Sequence, residues 1–429
     1  MRRLLSPFLL VLLAVGAGVT APGCASGAEA TVEAASGAED RATEAEDRAL
    51  VLVSIDGFRT DYLDREDLDL SALRAVAEGV RAERLIPVFP TKTFPNHYSL
   101  VTGLHPEAHG IVGNTMRDPT MLDANGEPAR FSLSNREAII DGRWWGGEPI
   151  WVTAENQGLT AGTVFWPGSE AEIAGVRPTR WIPYDGDMPY ADRVDLALSW
   201  LRAGDDLVTL YFEAVDSAGH RYGPDAPETD AAIERVDDAL DRLLAGLQEH
   251  GLAETTDVVV VSDHGMVELS RDRVVVLDDA VDLETVDVDW GEPVGIWPEP
   301  GVDVDALVER VSALDHVTAY RKEDVPERLH YSDNVRIPPV VLLADDGWTV
   351  SSRDYLDRYD DRPSGGGHGW DNAFESMHGI FLATGPSFRD GLATGPIRTV
   401  DVYGVVAAAL GLDPAPNAGD PSVADRVLE

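Results

Sequence analysis

Three acids and three histidines are spaced along this chain so that they could hold cations at one edge of a sheet. Asp56 directly follows the run ALVLVSI, Asp216 falls at the end of DLVTLYFEAVD with His220 four residues on, Asp263 and His264 follow DVVVVS, and His368 sits among glycines in PSGGGHGWDN. Each has an ordinary reading as well. An Asp before Gly commonly ends a strand by accepting backbone hydrogen bonds; Asp216 with His220 could be a helix-end pair; and a glycine-rich turn need carry no function. What matters is their coincidence, because carboxylate and imidazole are the donors that suit zinc, and six of them suffice for two ions.

This reading places Asp216, His220 and His368 around one ion and Asp56, Asp263 and His264 around the other, each with an open position. PTKTFPNHYSL then presents Thr93 between Pro90 and Pro95. A threonine hydroxyl is a weak nucleophile, and coordination to a metal would lower its pKa without a neighbouring general base. Two divalent ions against three carboxylates leave the site locally positive, so an anionic substrate can approach. Asn114, ending HPEAHGIVGN, is by default a turn residue. In this context its amide becomes a candidate donor to a non-bridging phosphate oxygen.

Positioning these groups calls for a mostly parallel sheet with helices on both faces, since short β-rich runs alternate with helical patterns. The segments 49–55, 206–215, 257–262 and 379–384 read as buried strands, and ligands in such sheets bind beyond the carboxyl ends of the strands. PETDAAIERVDDALDRLLAGLQEHG places Ile233, Val236, Leu240, Leu243, Leu244 and Leu247 on one face of a helix, with Thr229 or Asp230 as cap and Gly251 at the exit. Residues 284–350 read as a small α+β subdomain inserted before the last strand of the main sheet.

The bulk of the chain limits the function classes. Its 76 acidic against 34 basic residues give a formal charge of −42, which argues against a nucleic-acid polymer as ligand, since such binding depends on Lys and Arg neutralising phosphates. Arg2 and Arg3 precede an apolar run and small residues, the pattern of an export signal over 1–24. Residues 25–48 read as a disordered acidic leader, with the catalytic domain over 49–429. Cys24 is the sole cysteine, so no internal disulfide can form. It follows Ala-Pro-Gly and resembles a bacterial lipoprotein acylation site, with ordinary cleavage nearby as the alternative. The expected location is periplasmic or extracellular.

The blocks LVSIDGFRTDYL, PVFPTKTFPNHYSLVTGLHPEAHGIVGN, EPIWVTAENQG, FWPGSEAEI, FEAVDSAGHRYGP, VVSDHGM and HGWDN occur in order between residues 49 and 420. They resemble the nucleotide pyrophosphatase/phosphodiesterase family of the alkaline phosphatase superfamily. The resemblance implies an alkaline phosphatase-like α/β fold, two Zn2+ per chain, and Thr93 as a metal-bound nucleophile, with Asn114 holding the phosphoryl oxygen. It also implies Asp56, Asp216, His220, Asp263, His264 and His368 as ligands, and Phe94 and Tyr184 as a sandwich for the nucleobase, although Tyr184 could instead be an ordinary buried tyrosine. His378 falls where the family uses no ligand. Gly113 stands where an acidic residue often precedes the Asn, and His105 replaces an aromatic; both bear on substrate choice. The expected partner is a small nucleotide-like diester, and nothing here indicates an oligomeric state. The rival readings are a phosphomonoesterase, for which no Lys-x-Arg cluster is evident, a choline or lipid phosphodiesterase, and a non-catalytic surface lipoprotein.

Overall fold

Leucine and valine fill the first strand on both of its sides, a pattern suited to a strand covered on both faces. In chain order the main sheet comprises β1 (Ala49–Ile55), β2 (Val80–Ala82), β3 (Ala161–Val164), β4 (Arg180–Ile182), β5 (Leu207–Phe212), β6 (Thr256–Val261), β7 (Phe381–Thr384) and β8 (Leu392–Thr394), arranged β8-β2-β7-β6-β1-β5-β3-β4. The strands from β6 to β4 are parallel to one another. β7, the expected final strand, pairs antiparallel with β6 and β2, and β8 follows it at the sheet edge. The computed structural model describes residues 48–359 and 362–429. The expected export signal, Cys24 and the leader up to residue 47 lie outside the described residues.

Four helices contribute to the cores that flank the sheet: α1 (Thr93–Thr102), α2 (Ala214–Tyr222), α3 (Pro227–Glu249) and α4 (Thr399–Ala409). Because side chains alternate along a strand, β1 serves two cores. Leu50 and Leu52 pack in one with Tyr98 of α1 and Val402 of α4; Val51, Val53 and Ile55 pack in the other with Ile233, Val236 and Leu240 of α3. The expected apolar face of α3 is buried, with Leu244 at its margin. Its cap differs from expectation: Ala226 holds that position and Pro227 opens the helix, where its missing N–H has no helical partner to lose. The Thr229 hydroxyl instead donates to Gly223 O at 2.7 Å.

Between β6 and β7 in the chain lies a separate antiparallel sheet of Val286–Asp289, Val294–Pro298, Val340–Ala344 and Val317–Arg321, with a helix at Val304–Val311. It has its own core, including Ile296, Leu307, Val311 and Leu342. A hairpin of Thr115–Leu122 and Pro128–Ser132, starting immediately after Asn114, has no counterpart in the sequence reading.

Candidate active site

Asp56 caps the end of β1, its N–H donating to Phe212 O at 2.9 Å. Pairing between β1 and β5 stops at Ile55 and Phe212, so residues 213–215 have no strand to join and the chain turns into α2. The expected strand through Val215 is therefore too long. Asp216 lies in the first turn of α2, with His220 one turn along on the same face, and the Asp216 N–H donates to Asp56 O at 3.1 Å. Gly57 is required at this junction: its φ is +70°, and a Cβ there would lie 2.9 Å from Asp216 Cα. Asp263 and His264 follow β6, and His368 follows the short strand Gly366–Gly367.

The three histidines are held alike. Nδ1 of His220 faces Gly366 O at 2.9 Å, Nδ1 of His264 faces Gly265 O at 2.9 Å, and Nδ1 of His368 faces Thr91 O at 2.8 Å. A carbonyl only accepts, so each Nδ1 carries the hydrogen and each Nε2 is the atom left to face a metal, the usual support of a metal-binding histidine. The Nε2 atoms of His220 and His368 lie 3.1 Å apart, a contact that calls for a cation or proton between them. His264 Nε2 is 3.0 Å from Asp263 Oδ2 and 3.5 Å from Asp56 Oδ1. Asp56 Oδ1, Asp216 Oδ1 and Asp263 Oδ2 are all buried without a hydrogen-bond donor. Donor atoms of Asp216, His220 and His368 fall within 4.8 Å of one another, as do those of Asp56, Asp216 and His264, so this donor set fits metal and Asp216 stands between the two groups.

Charge tells the same story. Burial pushes the Asp56 carboxyl well above its ordinary range, and the Asp263 and Asp216 charges push the same way; burial also raises Asp216, against the pull of His220. For Asp263, burial acts upward but His264 and His97 hold it well below the usual range. Burial together with His264 and His220 drives His368 well down. Packed carboxylates that raise one another are relieved by a bound cation.

Thr93 opens α1, and its Oγ1 lies 3.4 Å from His264 Nε2. The N–H of Phe94 donates to Asn114 Oδ1 at 2.9 Å, which leaves the NH2 group as the side of the amide available to donate. Two further residues escaped the sequence reading. His97 is buried one turn beyond Thr93, its Nδ1 facing Thr93 O at 2.8 Å and Asp263 Oδ2 at 3.3 Å, its Nε2 facing Ser54 Oγ at 2.8 Å. Facing the Thr93 carbonyl, its Nδ1 carries the hydrogen, so His97 steadies the nucleophile turn instead of ligating, although it groups with Asp56 and Asp263 by distance. The four-residue spacing in TFPNH would have revealed it once a helix was assigned there. Tyr211, in β5, donates its hydroxyl to Asp56 Oδ2 at 2.6 Å; strand alternation alone does not flag it.

A cavity of about 260 Å³ opens beside Thr93, with Phe94, Tyr184, Asp56 and Asp216 on its walls. Tyr184 is 48% exposed, so the plain buried-tyrosine reading does not apply. Arg136 and Glu170 form an ion pair on the same wall. His378 is bonded elsewhere, its Nε2 3.0 Å from Asn372 O.

A family model described as Type I phosphodiesterase / nucleotide pyrophosphatase matches residues 50–371. The chain belongs to this family. The chain is 36% identical over 394 residues to the human ectonucleotide pyrophosphatase/phosphodiesterase family member 1, covering 88% of this chain and 42% of that protein. It is 37% identical over 416 residues to a venom phosphodiesterase of Crotalus durissus collilineatus, covering 92% of this chain and 48% of the venom protein. The chain thus spans about half the length of these curated relatives. Among solved structures, murine ectonucleotide pyrophosphatase/phosphodiesterase 5, as an inactive threonine-to-alanine form with AMP, superposes with a TM-score of 0.81 at 36% identity, over 89% of this chain and 100% of that one. The expected alkaline phosphatase-like α/β fold is therefore the fold observed. No helix among the described residues is long and apolar enough to cross a membrane.

Proposed function

We propose that this phosphodiesterase-family chain is a two-zinc hydrolase that cleaves nucleotide phosphodiester or pyrophosphate bonds through a phospho-threonine intermediate and releases nucleoside 5′-monophosphates. The observation that carries this reading is the convergence of three histidine Nε2 atoms and three donor-less carboxylate oxygens beside the Thr93 hydroxyl. Zinc held by Asp216, His220 and His368 and by Asp56, Asp263 and His264 would lower the hydroxyl pKa and offset the negative charge of the phosphoryl group. Thr93 Oγ1 forms the bond to phosphorus as the bond to the leaving oxygen breaks; water then cleaves the threonine ester and restores the hydroxyl.

The remaining roles belong to side chains already fixed. The NH2 of Asn114 donates to a phosphoryl oxygen, a contact that strengthens as charge gathers there. Its Oδ1, tied to the Phe94 N–H, cannot rotate in to repel that oxygen. Phe94 and Tyr184 line one cavity, and aromatic stacking accepts any base. The AMP complex and the inactive threonine-to-alanine form of the murine relative support a nucleotide ligand and a threonine nucleophile. Catalysis outside the cytoplasm, after export directed by residues 1–24 and with either lipid attachment at Cys24 or ordinary cleavage nearby, completes the proposal.

Thr93→Ala should abolish hydrolysis of a thymidine phosphodiester while both zinc ions stay bound. Undiminished turnover in that variant refutes the nucleophile assignment, and faster hydrolysis of a plain phosphate monoester by the native chain would favour the monoesterase reading.

A further inference from the structure

Arg193, in the helix Tyr190–Arg202, has no exposed surface. A charge so placed is costly unless it is paired and its donors are used. Here both conditions are met. The guanidinium grips Glu213 through two parallel bonds, Nη1 to Oε2 at 2.6 Å and Nη2 to Oε1 at 3.0 Å. Nη1 also donates to Tyr211 O at 2.9 Å, and Nε donates to Met188 O at 3.1 Å. The planar group lies over two rings as well, its central carbon 4.9 Å from the centre of Phe165 and 4.7 Å from that of Tyr190.

These partners belong to two walls of one cavity. Met188 falls in the irregular segment 183–189 that carries Tyr184, and Phe165 meets the Tyr184 ring edge-on at 5.2 Å. The Tyr184 N–H adds a longer bond, 3.3 Å, to Glu170 Oε1. Tyr211 and Glu213 mark the end of β5: the Tyr211 hydroxyl donates to Asp56, and Glu213 stands three positions before Asp216. Phe165, Tyr184, Tyr211, Glu213 and Asp216 all line the 260 Å³ cavity. Arg193 thus ties the wall that carries the exposed aromatic to the wall that carries candidate metal ligands.

A base stacked on Tyr184 sets where its phosphate falls beside Thr93, and a misplacement of about 1 Å can cost about 100-fold in rate. We propose that Arg193 is a positioning residue for the nucleoside, clasping the Tyr184 segment to the end of β5 so that the stacking wall keeps a fixed distance from the metal-binding carboxylates. This role rests on the phosphodiesterase reading above and on Phe94 and Tyr184 as the base sandwich. It demands a guanidinium. A lysine ammonium keeps the charge but has no planar fork with which to reach Glu213, Tyr211 and Met188 together.

The test compares two diesters with the same leaving group, thymidine p-nitrophenyl phosphate and methyl p-nitrophenyl phosphate, the second having no base to stack. Arg193→Lys leaves Glu213 a cationic partner, and it should lower the ratio of kcat/KM values, thymidine over methyl, by about tenfold, within the worth of one base-stacking contact. The methyl diester rate and the zinc content should stay within about twofold of native. In a Tyr184→Ala background the same substitution should leave the ratio within about twofold, because residues that act through one another are not additive. Should Arg193→Lys fail to fold, Glu213→Gln, which removes the acceptor charge at a partly exposed position, carries the same comparison. An equal fall on both diesters, or a full further fall of the ratio in the Tyr184→Ala background, reduces Arg193 to a structural residue and overturns the inference while the phosphodiesterase reading stands. If the native zinc-loaded chain cleaves neither diester, both readings fail together.

Discussion

Tyr211→Phe tests the support of the site with little collateral change. The substitution deletes one hydroxyl and keeps the ring, so the edge contacts with His97 at 5.2 Å and Tyr184 at 6.3 Å persist. What is lost is the 2.6 Å bond to Asp56 Oδ2, after which both oxygens of a buried carboxylate lack a donor, since Oδ1 has none already. A hydrogen bond to an ionised group contributes about 1.5–3 kcal/mol. At about 1.4 kcal/mol per tenfold, that is about 10- to 100-fold in metal affinity, the range typical for partners that orient metal ligands. The assay is competition against a chelator of known zinc affinity, read as metal retained per chain, with kcat measured on the fully loaded enzyme. Native zinc affinity together with native kcat would refute the claim that Tyr211 holds Asp56 in its ligating position.

Two further outcomes follow from burial and charge. Burial lowers the His109 pKa to about 3 from an ordinary 6.5. The unfolded chain therefore binds this proton first, and the stability contributed by the neutral imidazole, full above pH 6.5, is lost as pH falls toward 3. The loss is on the order of 3 kcal/mol at pH 4, read from urea unfolding across that range. His109→Gln should flatten the slope, and an unchanged slope would contradict the assignment. Separately, a net charge of −42 implies self-repulsion that salt screens, so raising KCl from 0.05 M to about 1 M should raise Tm; a steady fall in Tm would contradict this.

How much of the site could be read from the sequence varies with how local its physics is. The residues after β1 and β6 were legible because a buried apolar run that ends in Asp has one direction to go. Asp216 was legible as a candidate, but the strand before it was drawn three residues too long, because Phe212, Ala214 and Val215 extend the apolar run around Glu213 and only the end of β1, a partner remote in sequence, decides where pairing stops. The cap of α3 was misread because Thr229 is a good capping type whose hydroxyl is taken by Gly223 O, a contact made after the chain has turned. The part played by Tyr211 depends on a contact across the 155 positions between it and Asp56, and no periodicity encodes that. The antiparallel sense of β7 was equally invisible, because strand direction is set by the path of the inserted sheet before it.

The most direct test of the central claim is acid-quenched mass spectrometry of the zinc-loaded chain in its first turnover of a thymidine phosphodiester. A thymidylyl group on the peptide spanning Thr93, rising and decaying at the rate of turnover, is the predicted result. Product formed with no adduct on that peptide, or with the adduct on another residue, contradicts it.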